Sequence, residues 1–166
     1  MIVVSTRRGS TKRIAEAIAE GLGDIVVDLR KEWPEELEDF IVLGTPIYYE
    51  KPLPEVLEFI RRNDGLKGKV VAVFVVCMAD IFGVLGKRYA EFRYLNLVKR
   101  GIKGDIIDER IFRGWIRKEN SRTIKEAYSW GRELAEIFGG KRKLIPTFRI
   151  ENSRAEEENP KAKPAK

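Results

Sequence analysis

The sequence predicts one α/β domain, doubly wound about a five-stranded parallel sheet with helices on both faces. Three observations lead there: a length of 166 residues, short β-branched apolar runs, and helical periodicities that alternate with those runs.

The apolar runs are Ile2 to Val4, Ile25 to Val27, Phe40 to Leu43 and Val70 to Val76, each continuous as in strands covered on both sides. A fifth strand spans Asp105 to Phe112. Between them, Ile14, Ile18 and Leu22 recur every fourth residue, and Leu53, Val56, Leu57 and Ile60 form one stripe. A third stripe is Ile124, Ala127, Tyr128, Gly131, Leu134, Ala135 and Phe138, and Ile81 to Arg100 reads as largely helical. Between strands two and three, Trp33-Pro34-Glu35-Glu36-Leu37 permits only a turn or two. The domain is expected over residues 1–143. Residues 144–166 read as an arm followed by a charged, proline-bearing, disordered tail. Leu144, Ile145, Phe148 and Ile150 would lie against the domain or against a second subunit in a homodimer.

Apolar residues make up 43% and charged residues 35%, enough for an interior beneath an ionised surface and too much for wholesale disorder. No run of about eighteen apolar residues occurs, and Met1 leads straight into the first strand, so a soluble, cytoplasmic protein is expected. Glutamine is absent while Lys, Arg and Glu abound, a balance that fits a thermophilic source. Histidine is also absent, which removes Ser-His and Cys-His catalysis and His-ligated metals. Chemistry must then come from other side chains or from a cofactor. The net charge of +6 invites an anionic ligand or an acidic partner. Its clusters, Arg61-Arg62, Lys99-Arg100 and Lys141-Arg142-Lys143, nevertheless sit at predicted helix ends, where cations complement the dipole. Aromatics are not interleaved with these clusters, so no nucleic acid is expected.

Strand one runs into Ser5-Thr6-Arg7-Arg8-Gly9-Ser10-Thr11 and then a helix, which places hydroxyls, amides and a glycine at a helix's positive end. Such a loop binds phosphate, or is a plain turn with Ser10 or Thr11 as N-cap. A P-loop would need a lysine after its second glycine, and a dinucleotide fingerprint three glycines. Asp28, at the end of strand two, resembles a ribose-binding acid only weakly without them. A receiver domain would need an aspartate where Leu43-Gly44 stands.

After strand three, Gly44-Thr45-Pro46-Ile47-Tyr48-Tyr49-Glu50-Lys51-Pro52 reads as a stiff loop whose tyrosines offer a flat surface to a conjugated ring. With strand order 2-1-3-4-5, this loop and the first share one crevice at the switch point. Strand four ends in Val76-Cys77-Met78-Ala79-Asp80, a third wall. Cys77 either approaches a ring or fills the strand end, and Asp80 either contacts ligand or caps a helix. Trp115 faces a partner or covers the core.

These residues resemble the flavodoxin family, through the S-T-x-x-G-x-T loop at Ser5 to Thr11 and G-x-P-x-Y at Gly44 to Tyr48. The S-T-R-x-G-x-T version and the run Leu53 to Phe59 look closest to its menaquinone-dependent protoporphyrinogen oxidase-like branch. The resemblance implies an FMN cofactor and electron transfer. Thr6, Arg7, Arg8, Gly9, Ser10 and Thr11 would hold its phosphate, Thr45, Pro46 and Ile47 would line the flavin, and Tyr48 or Tyr49 would stack on it. It implies a redox partner protein, or a quinone or porphyrinogen substrate if the chain is an oxidoreductase. A non-redox binding module on the same fold is the remaining alternative. Arg8 departs from the family's usual threonine or aspartate, the basic balance departs from its usual acidity, and the long insertion of porphyrinogen-oxidising members is missing.

Overall fold

A computed structural model describes residues 1–78 and 83–142. Five strands lie parallel in the order β2-β1-β3-β5-β6: β1 (Ile2–Val4), β2 (Val26–Asp28), β3 (Phe40–Tyr48), β5 (Val70–Cys77) and β6 (Asp105–Arg113). Counted without the short β4 this is the predicted 2-1-3-4-5 order. β4 (Lys51–Pro52) was not foreseen, and it pairs antiparallel with the end of β3, Ile47 opposite Pro52 and Tyr48 opposite Lys51. The segment read as a stiff loop is therefore mostly strand and tight hairpin.

The continuous apolar runs of β1, β3 and β5 follow from burial on both faces, whereas in the run Ile25 to Val27 only Val27 is buried and Ile25 lies exposed before β2, an edge strand. Val3 of β1, Ile41 and Leu43 of β3, and Val71, Val73 and Val75 of β5 enter one core. Their neighbours Ile2, Val4, Phe40, Val42, Ala72, Phe74 and Val76 enter the other, since successive strand side chains point oppositely. The second core is closed by α1 (Ser10–Leu22) and α5 (Ser121–Arg142), through Ile14, Ile18, Ala127, Trp130 and Leu134. Trp130, absent from the predicted stripe, is fully buried and donates its indole N–H to Asp108 at 2.8 Å. The first core is closed by α2 (Pro54–Arg62) and by α3 (Gly83–Ala90), a π-turn (Glu91–Leu95) and α4 (Asn96–Lys99). On α2 the buried face is Val56, Phe59 and Ile60, whereas Leu57 of the predicted stripe is exposed.

Residues 29–39 form turns rather than a helix, with Trp33 laid against Phe59 (centroids 6.0 Å apart) and under the Arg62 guanidinium (4.8 Å). Glycines set the closest approaches. A Cβ on Gly131 would lie 2.3 Å from the Ile18 carbonyl oxygen, and one on Gly21 would lie 2.2 Å from that of Tyr128, so α1 and α5 touch backbone to backbone. The predicted arm and tail, 144–166, lie outside the described residues, as does Asp80.

Candidate functional site

At the carboxyl edge of the sheet, β1 hands the chain to Ser5, fully buried, and then to Thr6, whose hydroxyl donates to the Asp28 carboxylate (3.3 Å). Arg30 donates to the Thr6 carbonyl oxygen (3.2 Å), so this loop is tied to the end of β2. Asp28 also accepts the Arg30 amide and is thus occupied by its neighbours. Arg7, Arg8 and Gly9 are exposed, and among the described residues neither arginine has an ion pair. α1 opens at Ser10 with Gly9 in the N-cap position and no side-chain cap, so neither Ser10 nor Thr11 is the N-cap. The first intrahelical bond is Arg13 N–H to the Gly9 carbonyl (3.0 Å), leaving the amides before it directed outward.

Among the described residues, two hydroxyls in this loop find no partner. Ser5 Oγ and Thr11 Oγ1 are buried without a hydrogen bond, and each such group costs about 1–3 kcal/mol unless something satisfies it. Hydroxyls, amides and two cations around one turn make a donor set that fits a phosphate. Gly9 has φ −45° and open space where a Cβ would stand, so the turn itself does not require glycine. What its hydrogen preserves is room above the loop.

β3 brings the second half. The buried Thr45 hydroxyl accepts the Leu53 amide (3.0 Å) and donates to the Pro46 carbonyl (3.1 Å), which pins the hairpin's base to the start of α2. That hydroxyl is spent inside the fold. Tyr48 is half-buried, whereas Tyr49, at the hairpin tip, is 95% exposed. The Arg8 guanidinium lies over the Tyr48 ring, 5.8 Å from its centroid.

Between the two loops is a cavity of about 250 Å³. Arg8 and Ser10 line it from the first loop, Pro46, Ile47 and Tyr48 from β3, and Cys77 and Met78 from the end of β5. The segment after β6 completes it with Gly114, Trp115 and Ile116. A Cβ on Gly114 would stand 3.2 Å from Val76 and 3.6 Å from Ser10 Oγ, so glycine lets this segment close in. Met78, Trp115 and Ile116 also border a wider recess of about 840 Å³ that runs across Arg117 and Lys118 to Arg122. Of the predicted residues, Arg8, Ser10, Pro46, Ile47, Tyr48 and Cys77 converge on the cavity, and Thr6, Arg7, Gly9 and Thr11 belong to the loop beside it. Gly114 and Ile116 were missed as a wall of the cavity, and Trp115 was read only as facing a partner or covering the core. The available signal was a glycine and an indole directly after a parallel strand, where such sheets bind ligands.

A family model described as a flavodoxin domain matches residues 1–141. The chain belongs to that family. Solved flavodoxin-like structures overlay on it: the WrbA-like flavodoxin from Agrobacterium tumefaciens has a TM-score of 0.62 at 18% identity, covering 82% of this chain and 94% of its own. The NAD(P)H:quinone oxidoreductase from Methanothermobacter marburgensis has a TM-score of 0.58 at 17% identity, covering 80% and 94%. A flavodoxin from the domain Archaea has a TM-score of 0.53 at 22% identity, covering 81% and 94%. At these identities the likeness carries the fold alone. None of the curated proteins matches the chain. Among the described residues, no helix of this flavodoxin domain is long and apolar enough to cross a membrane.

Proposed function

We propose that this flavodoxin domain binds FMN between the Ser5–Thr11 loop and the β3–β4 hairpin and transfers electrons through it. The observation that carries the reading is the pair of buried hydroxyls, Ser5 Oγ and Thr11 Oγ1, which have no hydrogen-bond partner among the described residues and flank a loop with two exposed cations, Arg7 and Arg8. A bound flavin supplies one- and two-electron chemistry. The protein's part is to hold and shield it. The hydroxyls of Ser5, Ser10 and Thr11, the backbone amide of Thr6 and the first amides of α1 would take the phosphate, with Arg7 and Arg8 neutralising its charge. Pro46, Ile47 and Tyr48 would form one side of the ring pocket and Trp115 another, while Cys77 and Met78 floor it and exclude water.

The functional unit is residues 1–143, and its lone cysteine, Cys77, which has no second cysteine to pair with, suits a reducing, cytoplasmic setting. The wide recess beside Trp115 supports a second reading, in which a small quinone or a porphyrinogen is the redox substrate rather than a partner protein.

Titration of FMN and of riboflavin into purified protein, followed by quenching of flavin fluorescence, tests the first reading. Saturable binding with FMN favoured over riboflavin is expected. Protein that leaves FMN fluorescence unchanged and purifies colourless overturns it in favour of a non-redox module.

A further inference from the structure

The hairpin between β3 and β4 turns on Tyr49 and Glu50, both in the left-handed region, at φ 50° and 63°. Turns of this kind are ordinarily built from Asn, Asp and Gly, so neither residue favours the conformation by itself. The tip therefore needs a hold from outside, and the Glu50 carboxylate supplies one. It accepts hydrogen bonds from the hydroxyls of Tyr94 (2.5 Å) and Tyr89 (2.7 Å) and pairs with Arg93 Nε (3.4 Å). Those bonds hold the carboxyl below its usual range, with the Tyr94 bond the largest cause, then Tyr89, and with Arg93 adding to them.

All three donors come from one stretch, α3 and the π-turn that follows it. In a regular α-helix, residues five apart point about 140° away from each other, so Tyr89 and Tyr94 could not serve one carboxylate. A turn with i→i+5 bonding brings residues five apart toward one side. Glu91–Leu95 is such a turn, and the two rings meet edge to face, centroids 5.7 Å apart. Tyr94 is itself buried in the core, so the carboxylate is fastened to a rigid point.

We propose that Glu50, Tyr94 and Tyr89 form a latch that fixes the hairpin tip and so positions Tyr48, two residues before Glu50, at the cavity. They are positioning residues that act through Tyr48. This rests on the FMN reading, and the experiment separates the two. Tyr94→Phe removes the buried hydroxyl without changing charge, Tyr89→Phe removes the more exposed one, and Glu50→Ala removes the acceptor. Hydrogen exchange of the apo-protein amides from Ile47 to Leu53 reads the hairpin directly, and FMN titration reads the site.

In Tyr94→Phe, hairpin exchange and the Kd for FMN should each rise on the order of tenfold, with Tyr89→Phe nearer threefold and the exchange of β5 unchanged. Glu50→Gln, which keeps one acceptor oxygen, should recover part of the loss in Glu50→Ala. Unchanged hairpin exchange in Tyr94→Phe and Glu50→Ala overturns the latch. Faster exchange with wild-type FMN affinity overturns its positioning role. A wild-type protein that ignores FMN overturns the flavin reading and, with it, the role assigned to Tyr48.

Discussion

The guanidinium carbon of Arg8 stands 5.8 Å from the centre of the Tyr48 ring, which joins the loop after β1 to the hairpin after β3 across the cavity mouth. Arg8 is exposed, and charges of that kind contribute about 0.2–1 kcal/mol each. Arg8→Thr should weaken FMN binding about two- to fivefold while changing riboflavin binding less. It should also lower the flavin midpoint potential, because a cation near the ring favours the reduced anion. Potentiometric titration checks the sign, and an unchanged or higher midpoint refutes it.

Tyr48 and Tyr49 should separate cleanly. Tyr48→Ala removes an aromatic face from the cavity and should weaken FMN binding on the order of tenfold or more, given about 1–3 kcal/mol for ring stacking. Tyr49→Ala, at a 95% exposed position, should leave affinity within about twofold. Equal, negligible losses would remove both rings from the site.

Gly9→Val tests the room above the phosphate loop. With φ −45° and no atom within 4 Å of the added Cβ, the variant should keep its fold within about 1 kcal/mol in urea denaturation. FMN affinity should nevertheless collapse, because the side chain would stand where the phosphate approaches. Gly131→Ala should do the reverse: its Cβ would meet the Ile18 carbonyl at 2.3 Å, and overpacking of that kind costs about 1–3 kcal/mol of stability.

Thr45→Val should destabilise the protein by about 1–3 kcal/mol, since it leaves the buried Leu53 amide without its acceptor. The denaturation midpoint should fall with little change in m-value.

The ring resonances of Tyr94 should report Glu50. The carboxyl is depressed below its ordinary value, so the latch is intact above that value and opens only as pH falls through the depressed one. An NMR titration should therefore find the transition at more acid pH than for an unperturbed glutamate. A midpoint at or above the ordinary value refutes it.

β1, β3 and β5 were legible because burial on two faces leaves an unbroken apolar run, and the glycine- and hydroxyl-bearing turn after β1 was legible from its composition. The hairpin was not. Its tip is Tyr49-Glu50, without the Asn-Gly or Asp-Gly signal, so β3 was ended at Leu43 although it continues to Tyr48. Reading that segment as loop hid the alternation that sends Tyr48 and Tyr49 to different environments. Leu57 and Phe59 were confused because α2 has only nine residues, too few for its periodicity to choose between neighbouring faces. Trp130 was overlooked although it stands three residues after Ala127 and four before Leu134, on the same face of α5; what the sequence does not show is the Asp108 carboxylate on β6 that takes its indole N–H. The π-turn and the unpartnered Ser5 and Thr11 hydroxyls have no signature in the sequence.

The backbone contact of α1 with α5 bears on the order of assembly during synthesis. Residues 10–22 emerge early from the ribosome, yet the surface that covers Ile14 and Ile18 arrives only with Ala127, Trp130 and Leu134. A nascent chain that has produced both halves of the crevice still lacks the brace beneath its first wall. A chain cut short before α5 should therefore leave the apolar face of α1 around Ile14 and Ile18 without its cover, and be prone to associate through it.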